Sequence, residues 1–273
     1  MGLRPTDFLV DDGTPADRLF RPEYGRGLVA RDYTQDPPEM FAPPSGIKLI
    51  PRSEWSARIK ELEARKALLS DVRMVGNAGE MIPNLDQGQN GYCWGHSTVH
   101  AAIMVRAVNN LPYVPLSAYA VCATIKKGVN EGGWCGLSAK FLRERGVPSQ
   151  ALWPQGDRNY RDHDKPEVWA NAALHKVTEE WVDLAASHVA DQNLTFDQMM
   201  TCLLNGMPCA LDFSWWAHSV CGLDPVEVEP GDFGVRILNS WLNWGDNGTG
   251  VLRGDKAKPD GALAIRVTGV SAN

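Results

Sequence analysis

The chain lacks any long apolar run. No stretch reaches the roughly 18 consecutive apolar residues of a membrane span, and no apolar segment of leader-peptide length follows Met1-Gly2-Leu3-Arg4-Pro5-Thr6-Asp7. It has no basic surplus. Its 27 Lys and Arg stand against 33 Asp and Glu for a net charge of −6, which argues against a nucleic-acid partner. It has no Cys-x-x-Cys pair and no histidine cluster of zinc spacing, so neither a metal nor another cofactor is expected. Its six cysteines form no dense disulfide framework, and no internal repeat is visible. What is present is 273 residues at 44% hydrophobic content, enough for a substantial core or for two lobes sharing a cleft.

One cysteine stands out by its surroundings. Gln87-Gly88-Gln89-Asn90-Gly91-Tyr92-Cys93-Trp94 places a thiol after a glycine-containing loop. The stretch Trp94 to Asn110 reads as a helix, with Val99, Ile103, Met104 and Val108 at helical spacing. A thiol attacks a carbonyl only as the thiolate, and a helix N-terminus favours that anion. Downstream, His218 offers a base, and Asn239 a side-chain carbonyl that can orient an imidazole. Gln87 and the backbone N–H of Cys93 are the natural donors to a developing oxyanion. These are the parts of an acyl-transfer site, although spacing alone does not bring them together.

The arrangement resembles the papain-like (C1) cysteine peptidases, whose signature is Gln-Gly-x-Cys-Gly-Ser-Cys-Trp. Gln87, Gly88, Gly91, Cys93 and Trp94 match it in register, and Ile82-Pro83 resembles the family's preceding Thr-Pro. His218-Ser219-Val220 resembles the family's His-Ala-Val strand. Asn239-Ser240-Trp241, with Trp244-Gly245 and Gly248, resembles its Asn-Ser-Trp-Gly block. The intervals from Cys93 come near the family's roughly 130–150 residues. The resemblance implies a Cys93–His218–Asn239 triad, an oxyanion site at Gln87, and a Trp241 that shields the Asn239–His218 hydrogen bond. It also assigns Gly132, Gly133, Trp134 and Cys135 to substrate binding, the glycines pairing with an extended peptide and the next two residues walling the specificity pocket. It covers roughly residues 82 to 253.

The chain departs from that pattern in several places. Asn90 stands where a disulfide cysteine is usual, so Cys122 should be free and a reducing compartment is expected, cytoplasmic or otherwise, including the interior of a viral particle. Tyr92 replaces a small residue before the thiol, and Leu242 replaces a glycine. A short connection joins Pro208 to His218 where the family has a long excursion, and Trp215 and Trp216 are placed to fill the space. His96 and His100 lie on the Cys93 helix, but a base must reach the thiol from across the cleft, so they are read as structural.

The fold class implied is α+β, a papain-like pair of lobes with an N-terminal arm. Residues 1–48 form the arm, marked by Pro37-Pro38 and Pro43-Pro44 and with little core of its own. It lacks the helical pattern of the family's prosegment. It is expected to pack on its own body, on a partner protein or on a neighbouring subunit, and lying across the cleft is the other option. Residues 49–273 form the main domain: 49–155 a mainly helical lobe carrying Cys93, and 156–273 a β-rich, barrel-like lobe carrying His218 and Asn239. Ser53–Ser70 reads as one helix capped by Ser53, Ser138–Arg145 as another, and Thr195 with Gln198 as a capping box opening a third. Strands are expected at 209–213, 219–223, 234–238, 250–253 and 263–267.

Two functions follow. The first is a cysteine endopeptidase acting on peptide or protein substrates through a thioester acyl-enzyme. The alternative is a papain-like domain used as an assembly component, for example of a phage particle, with or without retained activity.

Overall fold

Apolar residues recur along the middle of the chain at helical spacing and then, after residue 208, at strand spacing, and the two halves fold accordingly. The computed structural model describes residues 2–36, 47–178, 181–184 and 191–266. The Pro37-Pro38 and Pro43-Pro44 pairs, His188 and the end of the last expected strand lie outside them. In chain order the elements are β1 (Leu9–Val10), α1 (Ala16–Leu19), α2 (Arg52–Ala64), α3 (Leu69–Val75), α4 (Cys93–Val108), α5 (Ala118–Ile125), α6 (Cys135–Glu144), α7 (Tyr160–His163) and α8 (Pro166–Ala173). These are followed by β2 (Trp181–Asp183), α9 (Gln192–Leu204), β3 (Cys209–Phe213), β4 (His218–Glu229), β5 (Asp232–Leu238), β6 (Thr249–Leu252) and β7 (Gly261–Ile265).

The strands form one sheet of order β1-β6-β5-β4-β3-β7-β2. All neighbours are antiparallel except β1 and β6, which run parallel. Helix α4 packs against β4 and β3 on one side and against α5 and α6 on the other. Every residue from Cys93 to Val105 is buried. An amphipathic helix would leave one face to solvent, whereas this one is enclosed by both halves of the molecule.

Several boundaries differ from the sequence expectation. The helix expected over Ser53–Ser70 is two helices, because Lys66 adopts a left-handed conformation (φ 52°) between α2 and α3. Ser53 lies inside the first turn, and Pro51 occupies the cap position with no side-chain hydrogen bond. Helix α9 starts earlier than Thr195. Asp191 is its cap, accepting from the N–H groups of Asn193 and Leu194, while the Thr195 hydroxyl donates back to the Asp191 carbonyl at 3.0 Å. Strand β4 runs well past the expected end at residue 223, with a bulge between Gly222 and Asp224. Strands β1 and β2 carry no readable alternation, being two and three residues long.

Residues 2–36 are a succession of turns and irregular segments around β1 and α1, and they take their burial from the main domain. The Phe8 and Val10 carbonyls accept from the N–H groups of Val251 and Arg253, each at 2.9 Å. Val10 and Leu19 are buried. The Arg236 guanidinium bridges Asp7 on the arm to Asp224 on β4, and all three side chains are buried. The described part of the arm therefore docks on the chain's own body. Removing one member of a buried ion pair leaves the other without full compensation. Asp7→Ala is expected to lower the unfolding free energy by about 3 kcal/mol, read from urea denaturation.

Candidate functional site

Cys93 is the first residue of α4 and is fully buried. Tyr92 precedes it at the cap, and its phenol donates to the Val129 carbonyl at 2.7 Å, within the helical half. The replacement of a small residue by tyrosine is thus absorbed by the core. His218 is the first residue of β4, directly opposite Phe213 of β3. A single tight turn, Ser214–Trp216 followed by left-handed Ala217 (φ 50°), joins the two strands. This turn stands in place of a longer excursion, and it packs Trp216 edge-on to the His218 ring at 5.0 Å. Trp215 stacks on Trp216 at 5.2 Å.

Asn239 follows the end of β5, and its Oδ1 lies 2.8 Å from His218 Nε2. Nε2 is the donor if Oδ1 accepts, which leaves Nδ1 as the lone-pair nitrogen; Nδ1 has no protein partner. Trp241 stacks on the His218 ring at 4.2 Å and 17°. It covers the imidazole beside the Asn239 bond. The Cys93 thiol lies within hydrogen-bonding reach of the backbone of Ser219, the residue next to His218. His218, Asn239 and Trp241 are therefore in contact, and Cys93 lies beside the residue that follows His218.

Gln87 is there too, and it is engaged. Its Nε2 donates to the Gly25 carbonyl at 2.9 Å and to the Asn90 carbonyl at 2.7 Å, while its Oε1 accepts from Ser240 Oγ. The Trp241 indole donates to the same Gly25 carbonyl at 3.0 Å. Gly25 belongs to the arm, so a carbonyl of the chain's own N-terminal segment sits on the candidate oxyanion donor. The arm then runs through the cleft. Its Leu28 N–H donates to the Ala217 carbonyl at 3.1 Å, beside His218. Gly133 donates to the Gly27 carbonyl and accepts from the Val29 N–H, both at 2.9 Å, in a parallel bridge. Tyr24 stacks on Trp241 at 4.4 Å.

The arm passes the thiol as Gly25-Arg26-Gly27 for a steric reason. A Cβ at Gly25 would run into the Asn90 carbonyl, and one at Gly27 into Gly91. Only glycine permits such a close approach of two backbones. The spaced glycines were the available sequence signal for this passage, and neither composition nor helical periodicity exposes it.

Of the remaining substrate-wall residues, Gly132 lies against the Gly27 carbonyl and Trp134 lines a recess further along. Cys135 opens α6, and its amide and thiol both donate to Asp212, at 3.3 and 3.0 Å. Asp212, buried on β3 and also bonded to Ser219, was not anticipated. Burial holds its carboxyl above the usual range. His96 and His100 serve the helical half. Nδ1 of His96 meets the Tyr92 carbonyl and its Nε2 meets Gln155, while His100 Nε2 accepts from Leu85 N–H. His175 is buried against the Val147 carbonyl. At the missing disulfide position, Asn90 donates to the Tyr119 hydroxyl at 2.7 Å, and that hydroxyl donates to the Gln87 carbonyl at 2.8 Å. All six cysteines, Cys122 among them, are free and buried.

The electrostatics follow from the covered cleft. Burial pushes the Cys93 thiol up to about 11, against smaller downward pulls from the Ser219 and Gly27 backbones. Burial likewise pushes His218 down to about 3, only partly offset by Asn239. With the arm in place burial favours the neutral form of each group over the charged one.

No family model matches the sequence, and no curated protein matches it. Solved structures do match in fold, and those found are papain-like cysteine proteases. Xylellain, a cysteine protease from Xylella fastidiosa, superposes with a TM-score of 0.53 at 18% identity, over 68% of this chain and 83% of that one. A recombinant stem bromelain precursor gives 0.53 at 15% identity, over 90% and 85%. Digestive procathepsin L 3 from Tenebrio molitor larval midgut gives 0.51 at 16% identity, over 79% and 90%. The chain has a divergent papain-like α+β fold.

Two outcomes follow from the covered cleft. Gly27→Val is expected to force the arm off the thiol and raise the iodoacetamide alkylation rate of Cys93 by about tenfold, corresponding to roughly 1.4 kcal/mol of lost closure. The second concerns acid. The folded pKa of His218 lies below its unfolded value, so its contribution to the closed form is complete above pH 6.5 and is lost as the pH falls towards 3. Protection factors at the Gly25, Leu28 and Val29 amides, each rate being compared with the intrinsic rate at the same pH, are expected to fall as the pH drops through that window; constant protection would contradict the assignment.

Proposed function

We propose that the protein is a cysteine peptidase whose own N-terminal arm fills its cleft in the form described. The observation that carries this reading is Cys93 at a helix N-terminus packed against Ser219, the residue that follows the Asn239-bonded, tryptophan-covered His218. Once the arm withdraws, water re-enters and the desolvation that favours both neutral forms is relieved. The helix N-terminus then favours the thiolate, and Asn239 supports a charged imidazole through Nε2. The thiolate adds to the peptide carbonyl, with Gln87 Nε2 and the Cys93 N–H as donors to the oxyanion. His218 gives its proton to the leaving amine. A thioester forms, and water delivered with His218 as base releases the acid.

Two features support the self-blocking part. The Gly25 carbonyl takes the Gln87 donor that a substrate oxygen would need, and the Trp241 indole holds it there. Moreover, two of the similar structures are precursors by description, the bromelain precursor and procathepsin L 3. The assembly-component reading loses its motive, because the arm that suggested a partner lies on the chain's own cleft. A reducing compartment is proposed on the ground that all six cysteines are unpaired thiols.

The test is hydrolysis of a fluorogenic peptide after the arm has been loosened by Gly27→Val. Cys93→Ala is expected to abolish turnover, and Gln87→Ala to lower kcat by about 10²–10³, the usual cost of one oxyanion donor. Full turnover in the Cys93→Ala chain would refute the reading.

A further inference from the structure

Beyond the thiol the arm continues to Arg31, and the surroundings of that residue are more specific than blocking requires. Its guanidinium meets the Asp183 carboxylate in a two-pronged contact, Nη1 to Oδ1 at 3.1 Å and Nη2 to Oδ2 at 2.8 Å. Nε donates to the Asp36 carbonyl at 2.8 Å. The planar group lies 4.5 Å from the Trp134 ring and 4.8 Å from the Tyr33 ring. Its side chain is 6% exposed and that of Asp183 is 0% exposed.

The place is a recess at the end of the cleft. A volume of about 170 Å³ remains there beside Arg31, bordered by Leu28, Tyr33, Trp134, Asp212 and Asp260. Asp183 holds the guanidinium, and Asp212 and Asp260 add two carboxyl groups to the border of the same recess. Asp212 is turned towards Cys135 and Ser219, and Asp260 accepts from the Ser214 N–H and from Gln192. Trp134, Asp183, Asp212 and Asp260 belong to the main domain, whereas Leu28, Arg31 and Tyr33 arrive with the arm. When the arm leaves, the acidic and aromatic walls stay and the cation goes.

We infer that this recess is the specificity pocket of the peptidase and that it selects an arginine side chain of the substrate, with Asp183 as the determining residue and Trp134 as the stacking face. This inference rests on the peptidase reading above. The arm's Arg31 is then the internal occupant that a substrate arginine replaces. The physical reasons are those that seat Arg31. A carboxylate meets a guanidinium in matched two-point geometry, and an indole face attracts a cation. A lysine ammonium supplies one point of contact and binds less well. A leucine leaves the carboxylate without a cation, and a glutamate adds like charge to a site that already repels it.

The experiment uses the full chain carrying Gly27→Val, which loosens the arm at the thiol, and the same chain carrying Arg31→Ala as well, which also empties the recess. Each is treated with epoxysuccinyl peptides bearing Arg, Lys, Leu or Glu in turn at each of the two residues next to the warhead. The rate of adduct formation at Cys93 is followed by mass spectrometry. In the Arg31→Ala chain the arginine probe is expected to react about tenfold faster than the leucine probe at one of the two positions, with lysine between them and glutamate slowest; one hydrogen-bonded charge contact is of that size. Adding Asp183→Asn is expected to bring the Arg-to-Leu ratio down towards one. If that variant does not fold by tryptophan fluorescence, Asp260→Asn, on the rim, is expected to lower the same ratio several-fold. Reaction of Cys93 with the leucine probe as fast as with the arginine probe at both positions would overturn the pocket while leaving the peptidase reading intact. Failure of every probe to label Cys93 in either chain would overturn the peptidase reading and the pocket with it.

Discussion

A helix with no exposed face along its first thirteen residues has to be enclosed on every side, its polar side chains included, and α4 is that helix. Thirteen consecutive residues from Cys93 to Val105 are buried, so sheet and helices must both close around it. Its N-terminus is where they part. That is why the thiol, the end of β5 and the start of β4 share one place: the cleft is the seam between two bodies packed on a common core element. The short turn before His218 depends on the same constraint. Strand β4 must begin at the seam, and the tryptophans of the turn occupy the volume that a longer connection would otherwise fill.

The state of the site is governed by water more than by pairing. The helix N-terminus and Asn239 both favour the charged forms of thiol and imidazole, yet burial outweighs them in each group. Covering by the arm and protonation state are therefore one variable. A cleft closed by backbone hydrogen bonds to Gln87, Trp241, Gly133 and Ala217 is blocked sterically and is also held chemically quiet. The arm achieves this without a side chain at the thiol, since the two glycines let main chain lie on main chain.

The sequence disclosed the parts of this site whose chemistry is local. The run from Gln87 to Trp94, His218, and Asn239-Ser240-Trp241 are short, ordered blocks whose residue types announce acyl-transfer chemistry, and the α+β division follows from the change of hydrophobic period near residue 208. Elements set by long-range contacts stayed hidden. Strand β1 exists because β6 offers it an edge, and β2 because β7 does; neither has enough residues to show alternation. Asp212 reads as one acid among many until β3 turns it under Cys135. The single helix expected over Ser53–Ser70 shows the opposite failure, a continuous apolar pattern interrupted by a left-handed lysine that no propensity foretells. The course of the arm is the largest gap, because irregular segments rich in proline and glycine carry no period at all.

The Asp7–Arg236–Asp224 cluster has a consequence for competition. It fastens the start of the arm to the sheet about two dozen residues before Arg31, so the segment that fills the cleft is held at an effective concentration of about millimolar. An inhibitor tethered in that way succeeds with weak intrinsic affinity. A free peptide reaching the same groove must match that local concentration, so displacement is governed by whatever slackens the tether as well as by the strength of any single contact in the groove.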